Sequence, residues 1–463
     1  MPATGWNERF RGQGSGGFAG WIDYSNLGDA VRGGYAAAAT DLGHWGRSGD
    51  SEWALGHPEK VIDFGYRAIH EMTLKAKAII RAFYGNEPRH SYFVGCSDGG
   101  REGLMEAQRF PEDYNGILAG DPANYLTHLV TGAMWVVQAT AQDPASYIPA
   151  SKIPAISAAV LAACDAQDGL NDGILNEPQR CHFNPQTLLC KKGDARDCLT
   201  APQVTALRKI YAGPRDSAGR QILPGYTPGG EEGPEGWGLW IISGEKPDRA
   251  LSAASNAPGR SVLSVMGVGF FSNFVYERAD WDPRSFNLDR AVNDADAKMA
   301  QVLNATDPDL RRFKAHGGKA IIYHGWSDPA IPPLNSIDYY NAVTAKMGQH
   351  ESDLFLRLFM APGMQHCDGG PGPDSFGQNG IAGQTGMLTS QDVEHNIFTA
   401  LLRWVEEGEA PSKIIATKYV DDSHAAKGVT MTRPLCPYPQ IAKYTGHGST
   451  DDAASFACAE QPK

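Results

Sequence analysis

Three features that would place the chain in other protein classes are scarce or absent. No apolar run approaches the length of a transmembrane helix. Basic residues number 41 against 53 acidic ones, and the net charge of −12 disfavours nucleic acid or an anionic membrane as a partner. No C-x-x-C pair suggests structural zinc. The 463 residues, 42% hydrophobic and 20% charged, indicate instead a globular protein large enough for an α/β domain with a sizeable insertion.

The cysteines are few but even in number, and they favour an oxidising compartment. Proximity in sequence suggests three pairs: Cys164 with Cys181, Cys190 with Cys198, and Cys436 with Cys458. Cys96 and Cys367 remain, and composition alone fixes none of these pairings. The opening Met1-Pro2-Ala3 does not resemble a signal peptide, so we expect a mature, trimmed or mis-started sequence. An intracellular hydrolase with reduced thiols stays open as an alternative.

One glycine-rich stretch, residues 92–106, combines an apolar run, a tight turn and a helix-like segment around Ser97. Gly95-x-Ser97-x-Gly99 fits the nucleophile elbow of an α/β-hydrolase. Such a turn reverses a strand into a helix, which strains the serine and leaves no room for side chains beside it. The alternative interpretation is a glycine-rich turn with an incidental serine.

A candidate acid and base follow in the order that this fold uses. The apolar run 320–325 is followed by a loop that carries Asp328, whereas Asp338 and Asp353 do not lie just past a strand end. The next apolar run, 354–359, leads into a glycine-rich loop with His366. Taken alone, His366 could be a surface histidine. The chain order Ser97, Asp328, His366 predicts a catalytic triad.

Backbone amides for an oxyanion hole are expected at two places. The residue after the nucleophile, Asp98, would supply one, and the glycine cluster around Gly16 would supply the other. The cluster could also be only a flexible loop. Cys96 and Cys367 directly flank Ser97 and His366, so a disulfide between them would tie the two catalytic loops together.

The order of predicted elements indicates an α/β-hydrolase fold with a large inserted lid domain. Small apolar strands alternate with helical periodicity over residues 1–123, which predicts a parallel sheet. Residues 124–305 are rich in proline, glycine and aromatic residues and are expected to form the lid. The sheet then resumes over residues 306–463, ending in a C-terminal strap.

Within the predicted lid, residues 164–174 form an acidic loop punctuated by glycines. Asp165, Asp168 and Asp172 supply hard oxygen ligands at a density that suits Ca²⁺. The spacing is not that of an EF-hand. The alternative is a pair of Asp/Asn-Gly turns without a metal.

The motifs together resemble the tannase and feruloyl esterase family of α/β-hydrolases over nearly the whole chain. The resemblance is carried by Cys96-Ser97, Asp328, His366-Cys367, the elbow helix motif at 99–111 and the tail motif at 433–439. It implies a Cys96–Cys367 bridge and a structural calcium in the lid. Carried over by position, the calcium ligands are the side chains of Asp165, Asp168 and Asp172 and the carbonyls of Leu170 and Ile174.

The resemblance further implies a secreted or periplasmic serine esterase for small aromatic acid esters, with no organic cofactor. A feruloyl ester is the favoured substrate, followed by a galloyl ester or a terephthalate half-ester, whose free carboxylate would need a cation. Arg260 and Arg284 are the cations considered within the lid. Family members usually carry a signal peptide and extra strands before the segment 6–10, at which this chain begins. A non-catalytic binding protein on the same fold is the rival from a different class.

Overall fold

A six-stranded parallel sheet forms the centre of the computed structural model, which describes residues 1–242, 260–378, 391–421 and 427–460. Its strands run in the order β2-β1-β3-β4-β5-β6. Their bounds are β1 Arg9–Gln13, β2 Ala36–Ala38, β3 His90–Cys96, β4 Gly116–Gly120, β5 Lys319–Gly325 and β6 Leu356–Ala361. The central strands are buried along almost their whole length, as expected for a parallel sheet covered on both faces.

Helices separate and follow these strands. Those of the first part are α1 Tyr24–Arg32, α2 Pro58–Ile62, α3 Ala68–Tyr84, α4 Asp98–Arg109, α5 Leu126–Ala141, α6 Ile153–Cys164 and α7 Ala201–Ala212. Those of the second part are α8 Trp237–Trp240, α9 Val262–Gly269, α10 Leu288–Leu303, α11 Arg311–Ala315, α12 Leu334–Met347, α13 Gln349–Asp353 and α14 Ile397–Glu407.

Alternate residues of the central strands supply two different cores. Phe93 and Ile117 pack with Leu104 of α4 on one side of the sheet. Tyr92 and Leu118 join the core that contains α14 on the other side. Because successive strand residues point to opposite faces, both faces of the sheet are covered by helices. The fold is therefore the three-layer α/β-hydrolase architecture that the sequence predicts.

Residues 124–305 contribute helices and no strand of the six-stranded sheet, as far as they are described. They have an apolar core of their own, which includes Ile156, Leu207 and Trp237. Within them, Pro144–Asp168 is long and apolar enough for a membrane span by length and composition alone, which the sequence analysis did not expect. It is a succession of short 3₁₀ turns around α6, and Ile156 and Val160 are buried inside the protein.

The C-terminal part adds two antiparallel ribbons. One pairs β7 Ile414–Tyr419 with β8 Val429–Leu435, and the other pairs β9 Gln440–Tyr444 with β10 Phe456–Glu460. Cys436 and Cys458 form a disulfide across this segment. The other bridges are Cys96–Cys367, Cys164–Cys181 and Cys190–Cys198, which are the pairs named from the sequence.

Candidate active site

The nucleophile candidate lies on a sharp turn between β3 and α4. Ser97 has φ 63° and ψ −121°, a left-handed conformation that is costly for a residue with a side chain. The turn is tight because Gly95 and Gly99 approach each other: a Cβ on Gly95 would lie 2.6 Å from the carbonyl carbon of Gly99. A Cβ on Gly99 would lie 2.8 Å from the Ser15 carbonyl oxygen. The two glycines flanking Ser97 are therefore a steric requirement of the elbow.

The acid and base candidates meet beyond the ends of β5 and β6. The Nδ1 atom of His366 lies 2.8 Å from Oδ2 of Asp328, and both residues are buried. The other carboxylate oxygen accepts the backbone N–H groups of Ala330 and Ile331 at 2.7 and 3.0 Å. These bonds fix the plane of the carboxylate. Asp328 thereby orients the imidazole with Nε2 available for a proton.

Burial and charge oppose each other at this pair. Burial raises the pKa of Asp328, but the positive charge of His366 and the hydrogen bonds from His324 and His366 outweigh it and hold that pKa below its usual range. Burial lowers the pKa of His366, but the Asp328 carboxylate more than offsets this and raises the pKa above its ordinary value. Asp328 therefore remains ionised wherever His366 can exchange a proton.

A disulfide joins the nucleophile turn to the loop of the base. Cys96 and Cys367 are bonded with their Cα atoms 6.0 Å apart, although 271 residues separate them in sequence. Each is the direct neighbour of a candidate catalytic residue, Ser97 or His366. The bridge holds two distant chain segments side by side at the site.

Ser97, Asp98, His366 and Gly16 all line one cavity of about 370 Å³. In the part of the chain that the structure describes, Nε2 of His366 has no hydrogen-bond partner. The rings of Trp240 and His366 pack edge to face, with their centroids 4.9 Å apart. The rest of the lining is mainly apolar, including Leu126, Leu129, Val130, Ala133, Leu263, Val265 and Met266. The cavity thus has one wall of polar, reactive groups and an apolar body that suits a flat ligand.

A larger cavity of about 600 Å³ lies elsewhere and does not contain Ser97. Its lining includes Tyr125 and His128, whereas Leu126 and Leu129 line the Ser97 cavity. Helix α5 therefore separates the two cavities. Ser97 and His366, two of the triad candidates, line the smaller cavity, which is therefore the candidate catalytic cavity.

The loop of Gly16 is braced against the elbow helix. Glu102 of α4 accepts the backbone N–H of Ser15 at 3.0 Å and its hydroxyl at 3.2 Å. Gly99 donates its N–H to the Ser15 carbonyl at 2.9 Å. Burial raises the pKa of Glu102 to about 8. These contacts brace the residue before Gly16, and Gly16 lines the cavity together with Ser97 and Asp98, where an oxyanion hole is expected.

Sequence reasoning missed three buried polar residues that support the site: Glu102, Asp121 and His324. Asp121 follows β4 and accepts the N–H groups of Gly325 and Cys367. It stands just past a strand end, as Asp328 does, and that position was the available signal. Nothing local in the sequence distinguishes Glu102 or His324 from other helix or strand residues.

The acidic loop folds around its own backbone amides. Asp165 accepts the N–H of Gly173 at 3.0 Å, and Asp168 accepts that of Leu170 at 2.9 Å. Asp172 accepts the N–H of Ile174 at 3.1 Å and pairs with the buried Arg433 at 2.9 Å. Burial, followed by repulsion from the neighbouring carboxylates, raises the pKa of Asp168. The three carboxylates thus lie on one short loop, and Arg433 already pairs with one of them.

Comparison with known proteins gives a consistent result. The sequence profile described as "Tannase and feruloyl esterase" matches residues 1–459. The chain belongs to this family. It is 40% identical over 484 residues to an uncharacterized esterase of Xanthomonas campestris pv. campestris, covering 100% of this chain and 81% of the relative.

Two further relatives of the chain have names that state their substrate. The mono(2-hydroxyethyl) terephthalate hydrolase of Piscinibacter sakaiensis is 34% identical, with 100% of this chain and 81% of that protein covered. The crystal structure of feruloyl esterase B from Aspergillus oryzae superposes with a TM-score of 0.85 at 27% identity, covering 98% of this chain and 85% of that one. The chain is accordingly a carboxylic ester hydrolase with the α/β-hydrolase fold.

Proposed function

We propose that the chain is a secreted serine esterase that cleaves esters of phenolic acids, with a feruloyl ester as the favoured substrate. The observation that carries the proposal is the buried pair of Asp328 and His366, whose free Nε2 belongs to the same apolar cavity as Ser97. The relatives named as feruloyl esterases support this substrate class. Four disulfides support an oxidising, extracellular location.

In the proposed reaction, Ser97 Oγ attacks the ester carbonyl carbon while His366 Nε2 accepts the hydroxyl proton. The backbone N–H groups at Asp98 and Gly16 stabilise the negative charge on the carbonyl oxygen, a contribution worth ~10²–10³ in rate per donor. His366 then gives its proton to the leaving alkoxide, which departs as the alcohol. Asp328 holds the imidazole orientation and stabilises the imidazolium throughout.

An acyl-enzyme on Ser97 is the intermediate, and water completes the cycle. His366 removes a proton from water, the hydroxide attacks the acyl carbon, and the proton returns to Ser97 Oγ as the acid leaves. The apolar residues around the site would exclude other water from the acyl group. An aromatic ring suits the apolar part of this cavity.

Arg260 favours a second candidate, an aromatic half-ester with a free carboxylate. Arg260 lines the Ser97 cavity, whereas Arg284 is largely exposed and lies 3.7 Å from Asp282. Burial lowers the pKa of Arg260 to about 10, which leaves it cationic at neutral pH. Its guanidinium already contacts Ser264, so it is held in one place. A carboxylate on the acyl ring would gain a charge-assisted hydrogen bond there.

The deciding experiment compares initial rates on methyl ferulate, methyl gallate and mono(2-hydroxyethyl) terephthalate, with Ser97→Ala as the blank. We expect Ser97-dependent hydrolysis that is fastest on methyl ferulate. Absence of activity above the blank on all three esters would contradict the proposal.

Paired arginine variants separate the two substrate candidates. If Arg260 binds a substrate carboxylate, Arg260→Gln should lower the rate on the terephthalate half-ester by ~10- to 100-fold and leave methyl ferulate nearly unchanged. Arg284→Gln, the matched control, should change neither rate. An equal loss on both esters in Arg260→Gln would mean that the residue only supports the local fold.

We also propose calcium at the acidic loop. Asp165, Asp168 and Asp172 would supply carboxylate oxygens, and Leu170 and Ile174 would supply carbonyl oxygens. The glycines within the loop adopt positive φ, 90° at Gly169 and 79° at Gly173, which lets the chain fold back on itself. The ion would be structural, because these residues are not among those that line the Ser97 cavity.

A further inference from the structure

A second histidine lies directly behind the catalytic aspartate. His324, near the end of β5, is fully buried. Its Nε2 lies 3.2 Å from Oδ2 of Asp328, 3.1 Å from the Ile331 carbonyl oxygen and 3.6 Å from Oδ1 of Asp121. Only oxygen acceptors surround this nitrogen among the contacts of the described residues. Nε2 of His324 therefore carries a hydrogen.

The other ring nitrogen leaves the charge of His324 adjustable. Nδ1 lies 2.7 Å from the hydroxyl of Ser336. A hydroxyl can donate to a neutral imidazole or accept from an imidazolium, so both charge states keep every hydrogen bond. The site thus accommodates a positive charge at His324 without rearrangement.

One carboxylate oxygen is shared by two imidazoles. Oδ2 of Asp328 lies 2.8 Å from Nδ1 of His366 and 3.2 Å from Nε2 of His324. A hydrogen bond from His324 withdraws negative charge from the oxygen that stabilises protonated His366. We propose that His324 is a positioning residue that acts through Asp328 and, together with Asp121, sets the basicity of His366. This inference rests on the proposed function of the triad.

Asp121 connects the same layer to the loop of the base. Its Oδ1 accepts the N–H of Gly325 at 2.8 Å, and its Oδ2 accepts the N–H of Cys367 at 3.2 Å. Its φ of 36° is unusual for a residue with a side chain, and these bonds hold it there. Asp121 therefore touches His324 on one side and fixes the backbone next to His366 on the other.

Several ionisable groups face this pair of histidines, and their balance sets its charge. Those acting on His366 are Asp328, Asp121 and Asp368, and those acting on His324 are Asp121 and Asp328. Tyr226 is close to Asp328, and Tyr323 is close to Asp121. Burial lowers the pKa of each histidine, and the carboxylates more than offset it, so both pKa values lie above the ordinary one. Without His324, the negative charge of Asp328 would act only on His366.

The test is the pH dependence of kcat/KM, whose acidic limb reports the pKa of the base in the free enzyme. Removing the donor leaves Asp328 more negative, so His324→Ala should move the limb to higher pH by about one unit. His324→Gln keeps an N–H donor but cannot carry a positive charge, so it should move the acidic limb by less than His324→Ala does. His128→Gln, which alters a histidine paired with Asp296 in the other cavity, is the control and should leave it unchanged.

A titration of ¹⁵N-labelled histidine by NMR gives the pKa of His366 without any substrate. Three proteins are titrated: Ser97→Ala alone, Ser97→Ala with His324→Gln, and Ser97→Ala with Ser336→Ala, which is the milder change. An upward shift of the His366 pKa in either variant supports the inference. An unchanged pKa in both overturns it. Loss of Ser97-dependent hydrolysis on all esters would overturn the proposed function instead, and the NMR result would still decide the role of His324.

Discussion

Asp328 receives hydrogen bonds on both carboxylate oxygens, from two backbone amides on one and from His366 on the other. The amides fix the position of the Asp328 carboxylate, and its negative charge stabilises protonated His366. These roles are separable, because an amide side chain at this position has nearly the same shape but no charge. At the scale of single residues, this separation makes the electrostatic contribution measurable.

Asp328→Asn should lower kcat by ~10⁴-fold while the protein stays folded, because the asparagine amide stabilises the wrong tautomer of His366. The measurement is kcat on methyl ferulate, together with the circular dichroism spectrum. Asp338→Asn is the matched control, since Asp338 lies on α12 outside the Ser97 cavity. Comparable activity of the two variants would contradict the assignment of Asp328.

Glu102 predicts how stability changes with pH. Burial raises its folded-state pKa to about 8, above its value in the unfolded chain, so its contribution is complete at low pH and is lost as pH rises toward 8. The Tm of the wild type should therefore fall between about pH 6 and pH 9, a range that spans the folded-state pKa of Glu102. Glu102→Gln cannot ionise and should show a smaller fall. An identical fall in both proteins would contradict the prediction.

At the scale of elements, the site is made where two βα units meet. The turn between β3 and α4 carries Ser97, and the loop after β6 carries His366. The Cys96–Cys367 bridge fastens one to the other. The Cys436–Cys458 bridge, in contrast, fastens only the C-terminal ribbons. The two bridges should therefore differ in what their removal does.

Cys96→Ala with Cys367→Ala should lower kcat by at least ~10-fold, because the His366 loop loses its fixed distance from Ser97. Cys436→Ala with Cys458→Ala is the matched control and should lower Tm with little change in kcat. Rates and melting curves of the two double variants decide between these outcomes. Full activity of the first variant would show that the bridge does not organise the triad.

Much of this architecture is readable from local sequence, for identifiable reasons. The elbow is predictable because a strained serine needs small neighbours, and Gly95 and Gly99 meet that need on either side of Ser97. Asp328 is predictable because it directly follows an apolar strand. His324 is not predictable, since its partners Asp121 and Ser336 come from other elements. Burial within the finished fold, rather than any local pattern, gives it a role.

At the scale of the whole molecule, the described part of residues 124–305 supplies part of the cavity wall and no strand of the six-stranded sheet. Trp240, Leu263 and Met266 come from this segment, while Ser97 and His366 come from the sheet part. Whether this segment moves as a lid stays a prediction. The stability of the segment should depend on its acidic loop, where Asp165 and Asp168 lie close to the Cys164–Cys181 bridge in sequence.

Removing calcium with EGTA should lower the Tm by about 5 °C, since binding to the folded state alone stabilises it. Asp168→Asn should have a lower Tm than the wild type before EGTA is added, and EGTA should change that Tm little. Asp280→Asn, a change at an exposed ion pair with Arg278, is the control and should respond like the wild type. A wild-type Tm that is independent of EGTA and of added Ca²⁺ would contradict the calcium proposal.

The long-range bridge also changes what a protease can do to this protein. A single cut between Cys96 and Cys367, anywhere along the segment that they enclose, produces two fragments that stay covalently joined beside Ser97 and His366. Such a nicked protein would run as one species on a non-reducing gel and as two after reduction. The chain can therefore be cut in its middle while the segments that carry Ser97 and His366 remain covalently linked.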